Sequence, residues 1–90
     1  MGVTIKVFGT FRSIVGNGEI TIDLKGCTLQ ELINELTTLY GDKVREEVLD
    51  EQGNLDYVHI FFVEGRRLHS LSDAIKDGSD VVITNMFGAG

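Results

Sequence analysis

Few side chains in this sequence have the types and spacing that carry chemistry. The two histidines stand apart: His59 lies within an apolar run and His69 near a turn. Neither has cysteine, aspartate or glutamate around it at metal-ligand spacing, so both read as structural or surface residues. Cys27 is the lone cysteine, which excludes an internal disulfide and a cysteine-built zinc site. Its place beside a helix start is one where a thiol pKa can fall, but no base is spaced to pair with it. Gly16-x-Gly18 lacks the third glycine and the strand-to-helix setting of a nucleotide loop. Fourteen carboxylates in so acidic a chain give no ground for choosing a catalytic pair. The sequence therefore predicts no catalysis, no metal site and no cofactor bound by this chain.

What remains is the chain end, Val81-Val82-Ile83-Thr84-Asn85-Met86-Phe87-Gly88-Ala89-Gly90. It begins as a β-branched run, which reads as a buried strand. It finishes in residues with too little side chain to hold one conformation, so 87–90 is expected to be a flexible tail. The five residues from Met86 reach at most about 17 Å when extended. That is enough to thread a terminal carboxylate into another protein's active site. The plainer reading is a frayed, solvated terminus, and the residues alone leave both open.

The elements that must position this tail follow from periodicity. Val3, Ile5 and Val7 alternate with polar neighbours, and Ile20, Ile22 and Leu24 do so strictly, giving two strands that look like an antiparallel pair. Gly16-Asn17-Gly18 is a turn signal between them; Phe11, Ile14 and Val15 are placed to cover a core edge from an irregular loop. Gly26-Cys27 is expected to break the second strand before a helix. Thr28 with Glu31 forms a capping box. Leu29, Leu32, Ile33, Leu36 and Leu39 then make one helical face, and Gly41 supplies the stop.

A shorter helix carrying Val44, Val48 and Leu49 fits 42–49, with Arg45 to Glu51 as a solvated face. A turn at Gln52-Gly53-Asn54 leads to Tyr57–Val63, apolar at nearly every position. Such a strand is buried on both faces or offers one to a partner. With Phe61 and Val63 inward, alternation turns Ile60 and Phe62 outward, where Phe8 and Val82 should join them. The alternative is that 42–56 folds over this face. After a turn at 64–67, Leu68 and His69 are expected to form a short strand, and Ser72 to cap one helical turn through Ile75. The closing strand follows.

One helix across a mixed sheet is the economical way to bury the Leu29 face. A parallel pairing of first and last strands, with the helix in the crossover, makes the fold class α+β. The arrangement is a β-grasp, with four to five strands and one main helix across one face, in a single domain spanning 1–90. Net charge −6 disfavours nucleic acid, whose phosphates need a basic surface, and favours a basic partner. No apolar run approaches the ~20 residues of a membrane span, and no signal-peptide pattern is present. With a single cysteine, these point to no membrane association and a cytoplasmic setting.

Four segments in order carry a family likeness: Ile5-Lys6-Val7-Phe8-Gly9, Thr28-Leu29-Gln30-Glu31-Leu32-Ile33, Phe62-Val63-Glu64-Gly65-Arg66 and Ile75-Lys76-Asp77-Gly78-Ser79-Asp80-Val81. Over nearly its whole length the chain resembles the ubiquitin-like sulfur-carrier proteins of the MoaD/ThiS type. Among these, the resemblance is greatest to the small subunit of molybdopterin synthase. The resemblance implies that Gly90 bears the acyl group, adenylated and converted to a thiocarboxylate, with Phe87, Gly88 and Ala89 threaded into a partner. Phe8, Ile60, Phe62 and Val82 would then bind that partner. It implies two partners, a ubiquitin-activating-type adenylating enzyme that carries the ATP and the large subunit of molybdopterin synthase. Members of the family end in Gly-Gly, often after a proline, whereas this chain ends Gly88-Ala89-Gly90 and has no proline. A β-grasp interaction module, or a protein modifier with no sulfur-transfer role, is the other reading.

Overall fold

The computed structural model describes all residues except Met1, Asn17, Tyr57, Val58 and 86–90, with the backbone alone for Thr10, His59 and Asn85. Strand β1 (Val3–Val7) leads through a 3₁₀ turn (Gly9–Phe11) and a short helix α1 (Arg12–Val15) to β2 (Glu19–Ile22). Phe11 and Val15 are buried, so this loop does close a core edge, but as helical turns rather than irregular chain. Gly16 ends α1 at φ 73°, a left-handed conformation open to glycine. β2 pairs antiparallel with β1, Ile5 opposite Ile20 and Val3 opposite Ile22.

Gly26–Thr28 is not merely a break. It forms a strand of its own, β3, which pairs antiparallel with β6 (Ala74–Lys76) in a separate two-stranded ribbon. Helix α2 (Leu29–Tyr40) starts directly from it. Thr28 Oγ1 accepts the Glu31 N–H at 3.2 Å while Glu31 Oε1 accepts the Thr28 N–H at 2.8 Å, completing the capping box. Leu29, Leu32, Ile33 and Leu36 are fully buried. Leu39 is not; it is 54% exposed. At about 100° per residue it lies roughly 80° off the Leu29 direction, past the edge of the buried stripe. Gly41 stops the helix at φ 96°. Helix α3 (Lys43–Val48) packs beside α2 and buries Val44 and Val48, with Arg45, Glu46 and Glu47 facing solvent.

Strand β4 (His59–Val63) turns through Glu64 and Gly65 into β5 (Arg66–Arg67). Both turn residues have positive φ, 52° and 80°, as a tight two-residue hairpin requires. The strand after the turn is thus Arg66–Arg67, not Leu68–His69. The segment from Ser72 is not helical either: Asp73 Oδ2 accepts the N–H groups of His69 and Ser70, and this folds the loop into β6. Strand β7 (Asp80–Asn85) occupies the middle of a five-stranded mixed sheet ordered β2-β1-β7-β4-β5, parallel to β1 and antiparallel to β4. Its Val81 and Ile83 are buried with Val3, Ile5, Val7, Phe61 and Val63 beneath α2. This is the β-grasp arrangement, with a main helix and two shorter ones.

Candidate functional site

Alternation along the strands decides what the sheet shows on the side away from α2. Inward Val81, Ile83, Phe61 and Val63 turn Val82, Thr84, Ile60 and Phe62 to the other face. Strand register then builds a row across all five strands. Glu19 lies opposite Lys6, Lys6 beside Val82, Val82 opposite Phe62, and Phe62 opposite Arg67. A second row sets Ile60 opposite Thr84, and the Phe8 N–H donates to the Ile83 carbonyl at 2.8 Å, which brings Phe8 level with Thr84.

The result is an apolar strip of Val82, Phe62, Ile60 and Phe8, bounded by the cation-bearing positions Lys6 and Arg67. Phe8 is 53% exposed, and Ile60, Phe62 and Val82 are each partly exposed. The segment 42–56 does not cover the strip with a helix, since α3 lies against α2. The four residues singled out from the sequence therefore share one face. Lys6, Glu19 and Arg67 were missed, because only register, not local pattern, places them in the same row.

The strip lies against the end of β7. Asn85 pairs with His59 one step past the Ile60–Thr84 pair, which sets the last described residue of β7 beside the apolar residues. Phe87, Gly88, Ala89 and Gly90 lie outside the described residues.

The other candidate groups separate. Cys27 is partly buried, and its thiol is pushed above the ordinary value by desolvation first and then by the Glu31 carboxylate. Burial, with the Glu31 carboxylate second, thus sets the direction of the shift, opposite to the fall a helix start can produce. The backbone donors of His69 and Ser70 hold the Asp73 carboxyl below the usual range, a turn-forming role rather than a catalytic one. Among the described residues no three histidine, cysteine, aspartate or glutamate side chains gather as a metal site. No helix of the described residues is long and apolar enough to cross a membrane.

Neither the family models nor the curated proteins contain a match to this chain. Solved structures do. A protein from Pyrococcus furiosus assigned as molybdopterin converting factor, subunit 1, is 31% identical over 94% of this chain and 97% of its own, with TM-score 0.75. The chain belongs to the ubiquitin-like sulfur-carrier family. Two further structures share its fold. The small archaeal modifier protein SAMP1 of Haloferax volcanii superposes at TM-score 0.82 over the whole of both chains, at 15% identity. The CysO protein of Amycolatopsis orientalis, solved as a complex with BexX, matches at TM-score 0.75 and 22% identity over 98% and 99%. This carrier-family chain keeps the sheet and main helix and presents its apolar strip beside Asn85 of β7.

Proposed function

We propose that this chain is a sulfur carrier, the small subunit of a molybdopterin synthase, with Gly90 as its acyl-bearing residue. The observation that carries the reading is the 31% identity, across almost the whole of both chains, to a protein assigned as molybdopterin converting factor subunit 1. A terminal carboxylate is ionised at pH 7 and is a poor electrophile. An adenylating partner that holds ATP joins a Gly90 oxygen to the α-phosphorus and releases pyrophosphate. Hydrosulfide released by a sulfur donor then attacks the acyl carbon, the bond from that carbon to the phosphate oxygen breaks, AMP departs, and a thiocarboxylate remains. The large synthase subunit would take that sulfur. This chain supplies the acyl group of Gly90, and the strip of Phe8, Ile60, Phe62 and Val82 supplies the docking surface, aromatic residues being common interface anchors. Nucleotide and any metal belong to the partner.

The test is the intact mass of the protein isolated from its native host. A mass gain equal to sulfur replacing one oxygen at Gly90 is the expected result, and deleting Gly90 should remove it. Replacing Ala89 by glycine should raise the rate of adenylate formation, because the Ala89 methyl group adds bulk and restricts the backbone next to the reacting carbonyl. Parental behaviour of both variants, with cognate partners, ATP and a sulfur donor present, would defeat the carrier reading. Attachment of Gly90 to lysines of other proteins, without a thiocarboxylate, would make the chain a modifier instead.

A further inference from the structure

A second feature lies at the far edge of the sheet, away from the end of β7. Among the described residues, strand β5 is at the edge of its sheet and β6 pairs with β3 alone. A groove runs between these two open edges. One part of it, about 340 Å³, is lined by Val63, Glu64, Arg66, Ala74, Lys76 and Ser79. The other, about 290 Å³, continues along Arg66, Arg67, Leu68, His69, Asp73 and Ala74.

Its backbone polarity follows from the ladders. The Leu68 N–H donates to the Phe61 carbonyl at 2.8 Å, so Phe61–Leu68 is a hydrogen-bonded pair. Alternation then turns the N–H and C=O of Arg67 to the open side. The Leu29 N–H donates to the Asp73 carbonyl at 2.9 Å, which by the same count turns the Ala74 backbone groups away from β3 and into the groove. Both walls thus present strand-edge donors and acceptors, a template for an added strand.

The charge of the walls selects the occupant. Arg66, Arg67 and Lys76 are three of only eight basic residues in a chain of net charge −6. The two carboxylates in the lining are already engaged by the chain's own amides. Glu64 Oε1 accepts the Asp80 N–H at 3.0 Å, and Asp73 Oδ2 accepts those of His69 and Ser70 at 2.9 and 3.0 Å. Both carboxylates keep their charge, so the lining carries three cations against two anions, a net +1 within a chain of net charge −6. We propose that it takes an extended, carboxylate-bearing segment of a partner protein, which adds to the β5 edge as a further strand. Successive side chains of that strand point to opposite faces, so adjacent carboxylates meet Arg67 on one side and Arg66 with Lys76 on the other. Val63 pairs with both Arg66 and Val81, so the site sits level with the start of β7. The site lies at the opposite end of β7 from Asn85 and shares only Arg67 with the border of the apolar strip.

The probe is a fluorescein-labelled, amide-capped octapeptide, Val-Glu-Glu-Val-Glu-Glu-Val-Glu, titrated against the full chain by anisotropy. Three companions go with it: a lysine-for-glutamate copy, a copy with alternate backbone nitrogens methylated, and the double variant Arg66→Glu, Lys76→Glu. Saturable binding of the acidic peptide is expected, with a loss of about tenfold or more in the double variant and in the methylated copy. The lysine copy should not bind. In the unmutated protein, amide chemical shifts should move most at Arg67 and Ala74. The proposal is overturned if the methylated copy or the double variant binds like the parent pair, or if the shifts gather at Phe8, Ile60 and Phe62. No ATP or sulfur donor takes part, so the outcome is separate from that of the carrier reading.

Discussion

Replacing Phe62 by aspartate separates a docking surface from a core position. A fully buried phenylalanine contributes about 1.5–3 kcal/mol. Phe62 is only partly buried, so the truncation should cost on the order of 1 kcal/mol. The introduced carboxylate stands opposite Arg67 and in the same row as Lys6. An opposite-charge cross-strand pair contributes about 0.2–1 kcal/mol, which offsets part of that loss. The net change should stay under about 1 kcal/mol, a fall in Tm of no more than about 8 °C for a domain of this size. Binding to the adenylating partner proposed above should suffer far more. A central aromatic anchor contributes about 2 kcal/mol or more, close to thirtyfold in Kd. Thermal unfolding by circular dichroism and titration calorimetry with the partner measure the two effects on one preparation. A Tm loss of twice the stated size, or an unchanged Kd, would refute the assignment of this face.

Leu32→Ala removes a fully buried side chain at the centre of the α2 face and should cost about 2–5 kcal/mol, read from the urea midpoint at constant slope. Cys27 should alkylate more slowly than a free thiol at the same pH, because its raised pKa leaves less thiolate; Glu31→Gln should quicken the reaction. Asp73 has its folded pKa below the ordinary value of 3.8. Its contribution is therefore complete above the unfolded value and is lost as pH falls through that value toward the folded one. Asp73→Asn should flatten the acid limb of a stability–pH curve in that window.

What the sequence made legible was local. Thr28 and Glu31 are three residues apart, and the leucines that follow repeat at the helical period, so cap and face could be read without knowing the fold. The alternation in 60–63 likewise placed Phe62 outward. The β3–β6 ribbon was hidden for the opposite reason. Gly26 pairs with Lys76 across most of the chain, both segments are short and half polar, and neither has a pattern of its own. Ser72 looked like a helix cap because serine often is one. The decisive group was the Asp73 carboxylate one residue on, which gathers the amides behind it and closes a turn. The Lys6, Arg67 row and the groove along β5 and β6 exist only once register is fixed, so no reading of neighbours in sequence reaches them.

The central place of β7 has a mechanical consequence. A strand at a sheet's edge peels away under load, one hydrogen bond after another. β7 is held by a ladder on each side, parallel to β1 and antiparallel to β4. A pull applied at Asn85 along the strand therefore acts in shear, and the bonds of both ladders share it at once. An enzyme that grips the chain beyond Asn85 can draw on it hard without unzipping the domain that carries it.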